Sequence, residues 1–276
     1  MPRPASSPAA ASAGQRRIVF ANRKGGSGKT ATAVNVAAGL SRLGHRVLLV
    51  DCDPQAHASL SLGWSPFGRH PTLYDLLTDP DLPLAQVLKP SAEAPQHLVI
   101  LPASSQLAGL EVEGGSAPEW RSRLATLLMA SRETAAFDYL LLDVPPTVGL
   151  FTIMAMLVAR EAVIPVQAHF LALEGLAEMV RFVYQINASV NPDLVISGIL
   201  PTFYVGSTRL ARKVVAELKA NFGSGLVMPA IHQNVQLAEA PSFGQSIFRY
   251  APRSAGARDY QAAVSWLATG PGRRPA

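Results

Sequence analysis

A single cysteine, Cys52, occurs in 276 residues, so no disulfide can close within the chain, and no Cys/His group has metal-ligand spacing. A reducing cytosol fits that usage. Charge is also sparse, with 16% of residues Asp, Glu, Lys or Arg against 49% hydrophobic. That balance excludes an intrinsically disordered chain and supplies ample core material. Long apolar runs are missing as well. The stretch 150–158 is among the longest, well short of the roughly 20 residues that a membrane-spanning helix needs. Residues 1–15 (MPRPASSPAAASAGQ) lack the apolar segment of a secretory signal and are expected to form a disordered Pro/Ala/Ser-rich tail; residues 269–276 are expected to form a second, flexible one. No internal repeat is visible. The net charge of +5 and pI near 9.6 permit an anionic partner without demanding one.

What is present is alternation. Apolar runs at 17–22, 46–51, 97–101, 137–144, 162–166 and 194–200 read as strands, with another near 226–231. Helical spacing of apolar residues marks 30–43, 118–131, 173–187, 208–222 and 255–267. This order implies one α/β domain over residues 16–268, a mostly parallel, twisted sheet with helices on both faces. Residues 62–95 carry many Pro and Gly with short amphipathic pieces, for example at 73–77, and read as a surface excursion, and NVQLAEAPSFG (234–244) reads as a loop.

The stretch ANRKGGSGKTAT (residues 21–32) lies between the first strand and the first helix. Gly25, Gly26 and Gly28 allow backbone conformations that aim N–H groups at an anion, Lys29 can reach terminal phosphates, and Thr30 can ligate Mg²⁺. The pattern G-x-x-x-x-G-K-[ST] is not met in full: Arg23 takes the first glycine's place and a second lysine, Lys24, follows it. The second strand ends in DCDPQ, which brings Asp51 and Asp53 to a strand C-terminus, where open α/β sheets place their ligands. LLLDVPP delivers Asp143 as a Walker B-like acid. Together these features favour nucleotide-phosphate binding over a plain glycine turn. Cys52 reads as a buried strand residue whose neighbouring acids disfavour the thiolate. Asp53, before Pro54, has a second reading as a helix cap, and Lys24 has one as an ordinary solvated charge.

On the helix at 208–222, Arg209, Arg212, Lys213 and Lys219 share an arc of about 120°, with Leu210, Val214, Val215 and Leu218 on the remaining side. A solvated face and a non-specific DNA contact, extended by Arg249, Arg253 and Arg258, are the two readings.

These motifs resemble the ParA/MinD family of deviant Walker-A P-loop ATPases, whose loop reads K-G-G-x-G-K-[ST]. KGGSGKT at 24–30, DCDPQ at 51–55, LLLDVPP at 140–146, IPVQ at 164–167, ALEG at 172–175 and AEAPSFG at 238–244 carry the likeness across residues 16–268, closest to small Soj-like ParA proteins. The resemblance implies ATP and Mg²⁺ as cofactors, a loop site formed by Gly25, Gly26, Ser27, Gly28, Lys29, Thr30 and Ala31, and metal support from Thr30, Asp51 and Asp143. It implies catalytic roles for three residues. Lys24 would cross a dimer interface to phosphates held by the other subunit, Lys29 would hold the β- and γ-phosphates of its own nucleotide, and Asp53 would orient the attacking water. The implied partners are a second copy in the ATP state, non-specific DNA bound through Arg209, Arg212, Lys213, Lys219 and Arg249, and a ParB-like or cargo adaptor that stimulates hydrolysis.

Arg23 stands where glutamine is usual and Ala31 where a second threonine is common, so one side-chain contact to the nucleotide is expected to be absent. His232 and Gln236 replace frequent arginines, so DNA binding is expected either to be weaker or to rest on residues 209–219. The expected function is partition of chromosome or plasmid DNA by a cytoplasmic, nucleoid-associated ATPase. Positioning of a protein cargo, such as a carboxysome or receptor cluster, is the alternative. A MinD-like membrane-associated regulator is less favoured, because ATGPGRRPA at the end of the sequence offers no amphipathic anchor helix. A lone cysteine disfavours an iron–sulfur electron carrier, and the short segment before the first strand leaves no space for a DNA-reading helix-turn-helix.

Overall fold

The computed structural model describes residues 14–114, 118–170 and 172–269. Strand β1 (Arg16–Phe20) runs into helix α1 (Lys29–Arg42), and β2 (Val47–Asp51) into the short α2 (His57–Ser61). Helices α3 (Leu73–Thr78) and α4 (Leu84–Val87) precede the hydrogen-bonded pair β3 (Lys89–Pro90) and β4 (Leu98–Leu101). Three helices, α5 (Leu107–Gly114), α6 (Pro118–Ala130) and α7 (Arg132–Ala135), lead to β5 (Tyr139–Asp143). Next come α8 (Leu150–Val158), β6 (Glu161–Gln167), α9 (Ala172–Ser189), β7 (Val195–Thr202) and α10 (Arg209–Phe222). The C-terminal part is helical, with α11 (Val235–Glu239), a 3-10 turn (Ala240–Phe243), α12 (Ile247–Tyr250) and α13 (Ala255–Thr269).

Among the described residues the sheet has seven strands in the order β3-β4-β2-β5-β1-β6-β7. All pairs are parallel except the edge pair β3–β4. Continuous apolar strands are what such a sheet requires, because both faces are covered. Successive side chains divide between two cores. Ile18, Phe20, Val47, Leu49 and Leu141 join α1, α12 and α13 in one layer. Val19, Leu48, Val50, Leu140 and Leu142 join α3, α6, α8 and α9 in the other. Each fully buried aliphatic side chain contributes about 1.5–3 kcal/mol. The central strands β2, β5 and β1 therefore hold their C-terminal ends, where the site lies, in fixed register.

Three local expectations are corrected. The 62–95 segment is not wholly superficial: Leu73, Leu76, Leu77, Leu84 and Val87 are buried in the second core. Their i, i+3, i+4 spacing is short, and α3 is fixed by a capping box between Thr72 and Asp75. The apolar run 226–231 forms only one isolated bridge to β7, Ile199 with Val227, and a second bridge, Tyr204 with His232, lies just past the end of each. Pro229 lies in the middle of that run with no N–H to give to a ladder. The stretch 234–244 is α11 and the 3-10 turn rather than irregular loop. At the N-terminal boundary, Gln15 donates through Nε2 to the carbonyls of Thr134 at 2.7 Å and Phe137 at 3.1 Å. The remainder of the two expected tails, residues 1–13 and 270–276, lies outside the described residues.

Close packing between α1 and the C-terminal helices makes one glycine informative. A Cβ on Gly39 would lie 2.5 Å from Val264 Cγ2 and 3.2 Å from Phe248 Cε2. A Gly→Ala change inside a helix ordinarily stabilises by about 1 kcal/mol, whereas overpacking a core costs about 1–3 kcal/mol. Because Val264 is stiff at χ1 and fully buried, the clash prevails. Gly39→Ala is expected to lower stability by about 1 kcal/mol in denaturant titration, opposite to the propensity effect.

Candidate nucleotide site and basic helix

Eight residues separate β1 from α1, and two of them bend the chain back. Gly26 and Gly28 have φ of 70° and 87°, values that any Cβ would strain. Gly28 is also the N-cap of α1, and no side chain caps that end. The first N–H groups of α1 are thus available to an anion, with the helix dipole behind them. The loop carbonyls are tied elsewhere. Thr202 Oγ1 donates to the Ser27 carbonyl at 2.9 Å, and Gln167 Nε2 donates to the Gly26 carbonyl at 2.8 Å. Asn22 accepts the Lys24 N–H at 3.0 Å while its Nδ2 donates to the Pro165 carbonyl at 2.7 Å. Sequence reasoning missed Asn22, Gln167 and Thr202 as loop anchors. Gln167 and Thr202 are hidden by their distance along the chain from the loop, although IPVQ at 164–167 contains the first; Asn22 lies in the loop itself, and its bond to Pro165 is what the sequence does not show.

Asp51 and Asp143 are ladder partners at the ends of β2 and β5, and both are fully buried. Their surroundings differ. Asp51 accepts from the Asp53 N–H at 3.1 Å through Oδ1, and through Oδ2 from the Ser59 N–H at 2.8 Å and hydroxyl at 2.7 Å. Among the described residues neither oxygen of Asp143 has a hydrogen-bond partner, and the Ser27 hydroxyl is also unmatched. Burial pushes the Asp51 carboxyl up to about 6, against the pull of its Ser59 and Asp53 hydrogen bonds. Burial and then the Asp51 charge push Asp143 well above the usual carboxylate range. The Thr30 hydroxyl and the Lys29 ammonium oppose that rise, Thr30 being close without completing a regular hydrogen bond.

Lys29 is 6% exposed, and burial lowers its pKa while Asp143 and Asp53 raise it. Asp53 is 8% exposed and spends Oδ1 on the Gln55 N–H at 2.9 Å. It stabilises a turn ahead of α2, whose N-cap is Ala56. Cys52 is buried, and burial followed by its three acidic neighbours pushes the thiol well up, in line with its reading as an inert strand-end residue. A buried carboxylate without donors, beside a lysine and a helix start, fits a hydrated divalent cation shared with phosphate oxygens. Asp51, already saturated by three donors, suits support of that site better than direct ligation.

From the end of the loop a cavity of about 270 Å³ opens between α1, α2 and α11, with Thr30, Ala31, Val34, Leu60 and Leu237 on its walls. Its apolar side suits the organic portion of a phosphorylated ligand. Leu237 comes from the stretch that sequence alone reads as loop. Phe203, at φ 51°, lies beside Gly28 with half its surface exposed.

The two departures from the usual loop are held outward. Arg23 pairs with Glu178 on α9 at 3.1 Å, and Lys24 Nζ lies 3.0 Å from His169 Nε2.

On α10, Arg209, Arg212, Lys213 and Lys219 are exposed while Ala211, Val214 and Leu218 are buried. Leu210, expected on the buried side, is 51% exposed. It sits in the first turn of α10, next to the exposed residues 207 and 208. Lys213 pairs with Glu217 at 3.8 Å, and Arg212 donates to the Gly206 carbonyl at 2.6 Å. Arg249 is exposed on α12, in the other layer from Val214 and Leu218. A joint surface has to pass round the β7 edge, where Lys219 and Trp266 line one cleft. His232 donates its backbone N–H to Asp259 Oδ2 at 2.8 Å, with the ring 3.0 Å from the same oxygen.

Residues 15–196 match the model of a family described as an AAA domain. The chromosome-partitioning ATPase Soj of Thermus thermophilus is 43% identical over 89% of this chain and 92% of its own length. The chain belongs to the ParA/MinD family of ATPases, in its Soj-like branch. Within it, the chromosome partitioning protein ParA of Caulobacter vibrioides is 37% identical over 89% of this chain and 91% of the relative. The sporulation initiation inhibitor protein Soj of Bacillus subtilis is 40% identical over 88% and 94%. Among solved structures, a cobyrinic acid a,c-diamide synthase from Mycobacterium smegmatis with bound ADP and magnesium is 28% identical, with a TM-score of 0.78 over 92% of this chain and 94% of that one. The septum site-determining protein MinD of Pyrococcus horikoshii, complexed with Mg-ADP, is 21% identical and shares the fold at a TM-score of 0.73 over 95% and 100%. Among the described residues of this Soj-like chain, no helix is long and apolar enough to cross a membrane.

The donorless Asp143 predicts a pH-dependent stability. A carboxyl raised in the fold binds its proton more tightly there than in the unfolded chain. Its stabilising effect is full below the unfolded value and is lost as pH rises through the folded one. Asp143→Asn is therefore expected to raise the Tm of the ligand-free protein by roughly 2–4 °C at pH 8, with a smaller gain at pH 5, in thermal unfolding.

Proposed function

We propose that this Soj-like protein is a Mg²⁺-dependent ATPase that dimerises on ATP, binds DNA non-specifically in that state, and partitions chromosome or plasmid DNA. The observation that carries the nucleotide reading is the buried, donorless Asp143 carboxylate beside Lys29, Thr30 and the uncapped start of α1. The loop residues 25–31 would cradle the phosphates through their N–H groups. Lys29 would neutralise the terminal phosphates, and Thr30 and Asp143 would hold the cation, with Asp51 behind them. Mg²⁺, when bound, supplies charge neutralisation for the phosphate oxygens. Asp53 would orient the attacking water, since phosphoryl transfer to water needs alignment and charge more than covalent chemistry. Lys24 would act on phosphates held by the second copy, so turnover would follow assembly. A ParB-like or cargo adaptor would stimulate it, at the nucleoid.

The partition reading is supported by relatives named for chromosome partitioning that cover about nine-tenths of the chain. Exposed Arg209, Arg212, Lys213 and Lys219 would supply phosphate contacts, with Arg249 across the β7 edge. Protein cargo on the same cycle is the alternative, separated by what the stimulating adaptor binds.

Two experiments test this. With ATP and Mg²⁺, light scattering is expected to show a wild-type dimer and a Lys24→Ala monomer that still binds nucleotide; a dimer of normal affinity in the variant overturns the shared-site reading. In DNA retention, Arg209→Glu with Arg212→Glu is expected to lose binding at about 100 mM salt. A single neutralising change, Arg209→Ala, should lower the salt slope by about 0.9. Dimerisation should be intact in both.

A further inference from the structure

Gln167 ends β6, and His169 follows it in the link to α9. The Gln167 amide joins two groups: Nε2 donates to the Gly26 carbonyl at 2.8 Å, and Oε1 lies 2.5 Å from His169 Nε2. The first bond fixes the amide's orientation, because reversing it would set its oxygen against the Gly26 oxygen. Oε1 therefore requires a proton on His169 Nε2. The same nitrogen lies 3.0 Å from Lys24 Nζ. An ammonium has donors and no lone pair, so it requires that nitrogen bare. A neutral imidazole cannot meet both demands with one nitrogen. Burial and then the Lys24 charge hold the His169 pKa below its usual value, which favours the neutral ring.

We infer that His169 is a positioning residue that parks Lys24 in the ligand-free subunit and exchanges it for Gln167 when Lys24 departs. With Lys24 docked, Nε2 accepts from the ammonium and the ring proton is on Nδ1. When Lys24 leaves, a proton moves through water from Nδ1 to Nε2, with no net gain or loss, and the ring donates to Gln167 Oε1. One hydrogen bond replaces another, but the ammonium bond given up is the stronger, so docking is favoured by only about fivefold, and the Gln167 bond to the loop carbonyl is reinforced as Lys24 goes. The use of this release rests on the proposed role of Lys24 at the other subunit's phosphates; the exchange itself does not. Arg23 is restrained separately by Glu178, so Lys24 can move without it.

The test uses the full-length, ligand-free protein. Acetic anhydride labelling of Lys24, followed by mass spectrometry with Lys213 and Lys219 as internal references, is expected to rise roughly fivefold in His169→Ala, the loss of one net hydrogen bond of about 1 kcal/mol. His169→Gln, whose amide oxygen can accept from Nζ, should stay near wild type. In parallel, ¹⁵N spectroscopy of the His169 ring should show Nε2 unprotonated in the wild type and protonated in Lys24→Ala. Unchanged labelling in His169→Ala, equal rises in both His169 variants, or one tautomer in both proteins overturns the inference. None of these readouts needs nucleotide or a dimer, so failure of the proposed function would show separately, as absent ATP-dependent dimerisation with the labelling pattern intact.

Discussion

Two carboxylates fixed side by side at the buried ends of adjacent parallel strands set the terms for the rest of this molecule. Asp51 and Asp143 are in register across β2 and β5, and neither can turn to solvent. Their mutual repulsion and desolvation oppose folding, and Lys29 offsets only part of that. The cost is sustained because each strand that ends there is anchored by apolar side chains on both faces, Leu48 and Val50 against one layer and Val47 and Leu49 against the other. Asp51 is made tolerable by Ser59 and a backbone N–H. Asp143 is not, and it is the one that faces the nucleotide loop's threonine. Strain confined to one unsatisfied carboxylate, on rigid strands, is a local price that the proposed cation would relieve.

How much of this was legible in the sequence depended on the range of the interaction. Every strand but the two-residue β3, together with α1 and the loop, could be read because their determinants are local: apolar runs, helical spacing and glycines at the bend. The 62–95 segment misled because its Pro and Gly suggested a surface excursion, while the short amphipathic piece with Leu73, Leu76 and Leu77 is a turn of helix buried in the second core. The run 226–231 misled in the other direction, since apolar content suggested a strand that Pro229 limits to one isolated bridge. The groups that shape the site were the least visible. Ser59 holds Asp51 from α2, and Gln167 and Thr202 hold the loop from β6 and β7. The Gln167 and Thr202 contacts exist only once the sheet order brings β1 beside β6.

The excess of positive charge is better understood after the structure has sorted it. Arg16 is engaged with Glu161, Arg46 with Asp138 and Arg160 with Asp193. These cations join neighbouring parts of the same subunit. On α10, by contrast, Arg209 and Lys219 make no ion pair among the described residues. A net charge of +5 alone says little about partners; the structure divides it between internal pairing and outward cations such as Arg209 and Lys219, which carry the proposed DNA contact. His232 is likewise engaged within the subunit, by Asp259.

The nucleotide loop divides its work in a comparable way. Its carbonyls at Gly26 and Ser27 are held by side chains from β6 and β7, so the backbone is arranged before any ligand arrives and the N–H groups need not be ordered on binding. Its leading cations are treated differently. Arg23 and Lys24 are each held by one contact at the surface or partly buried, of the kind worth about 1 kcal/mol or less. A single stretch of nine residues thus combines a cradle that cannot move without breaking long-range bonds with side chains that can be exchanged at little cost. That combination lets the loop backbone stay constant while Lys24 moves, as the proposed sharing of the site between two copies would require.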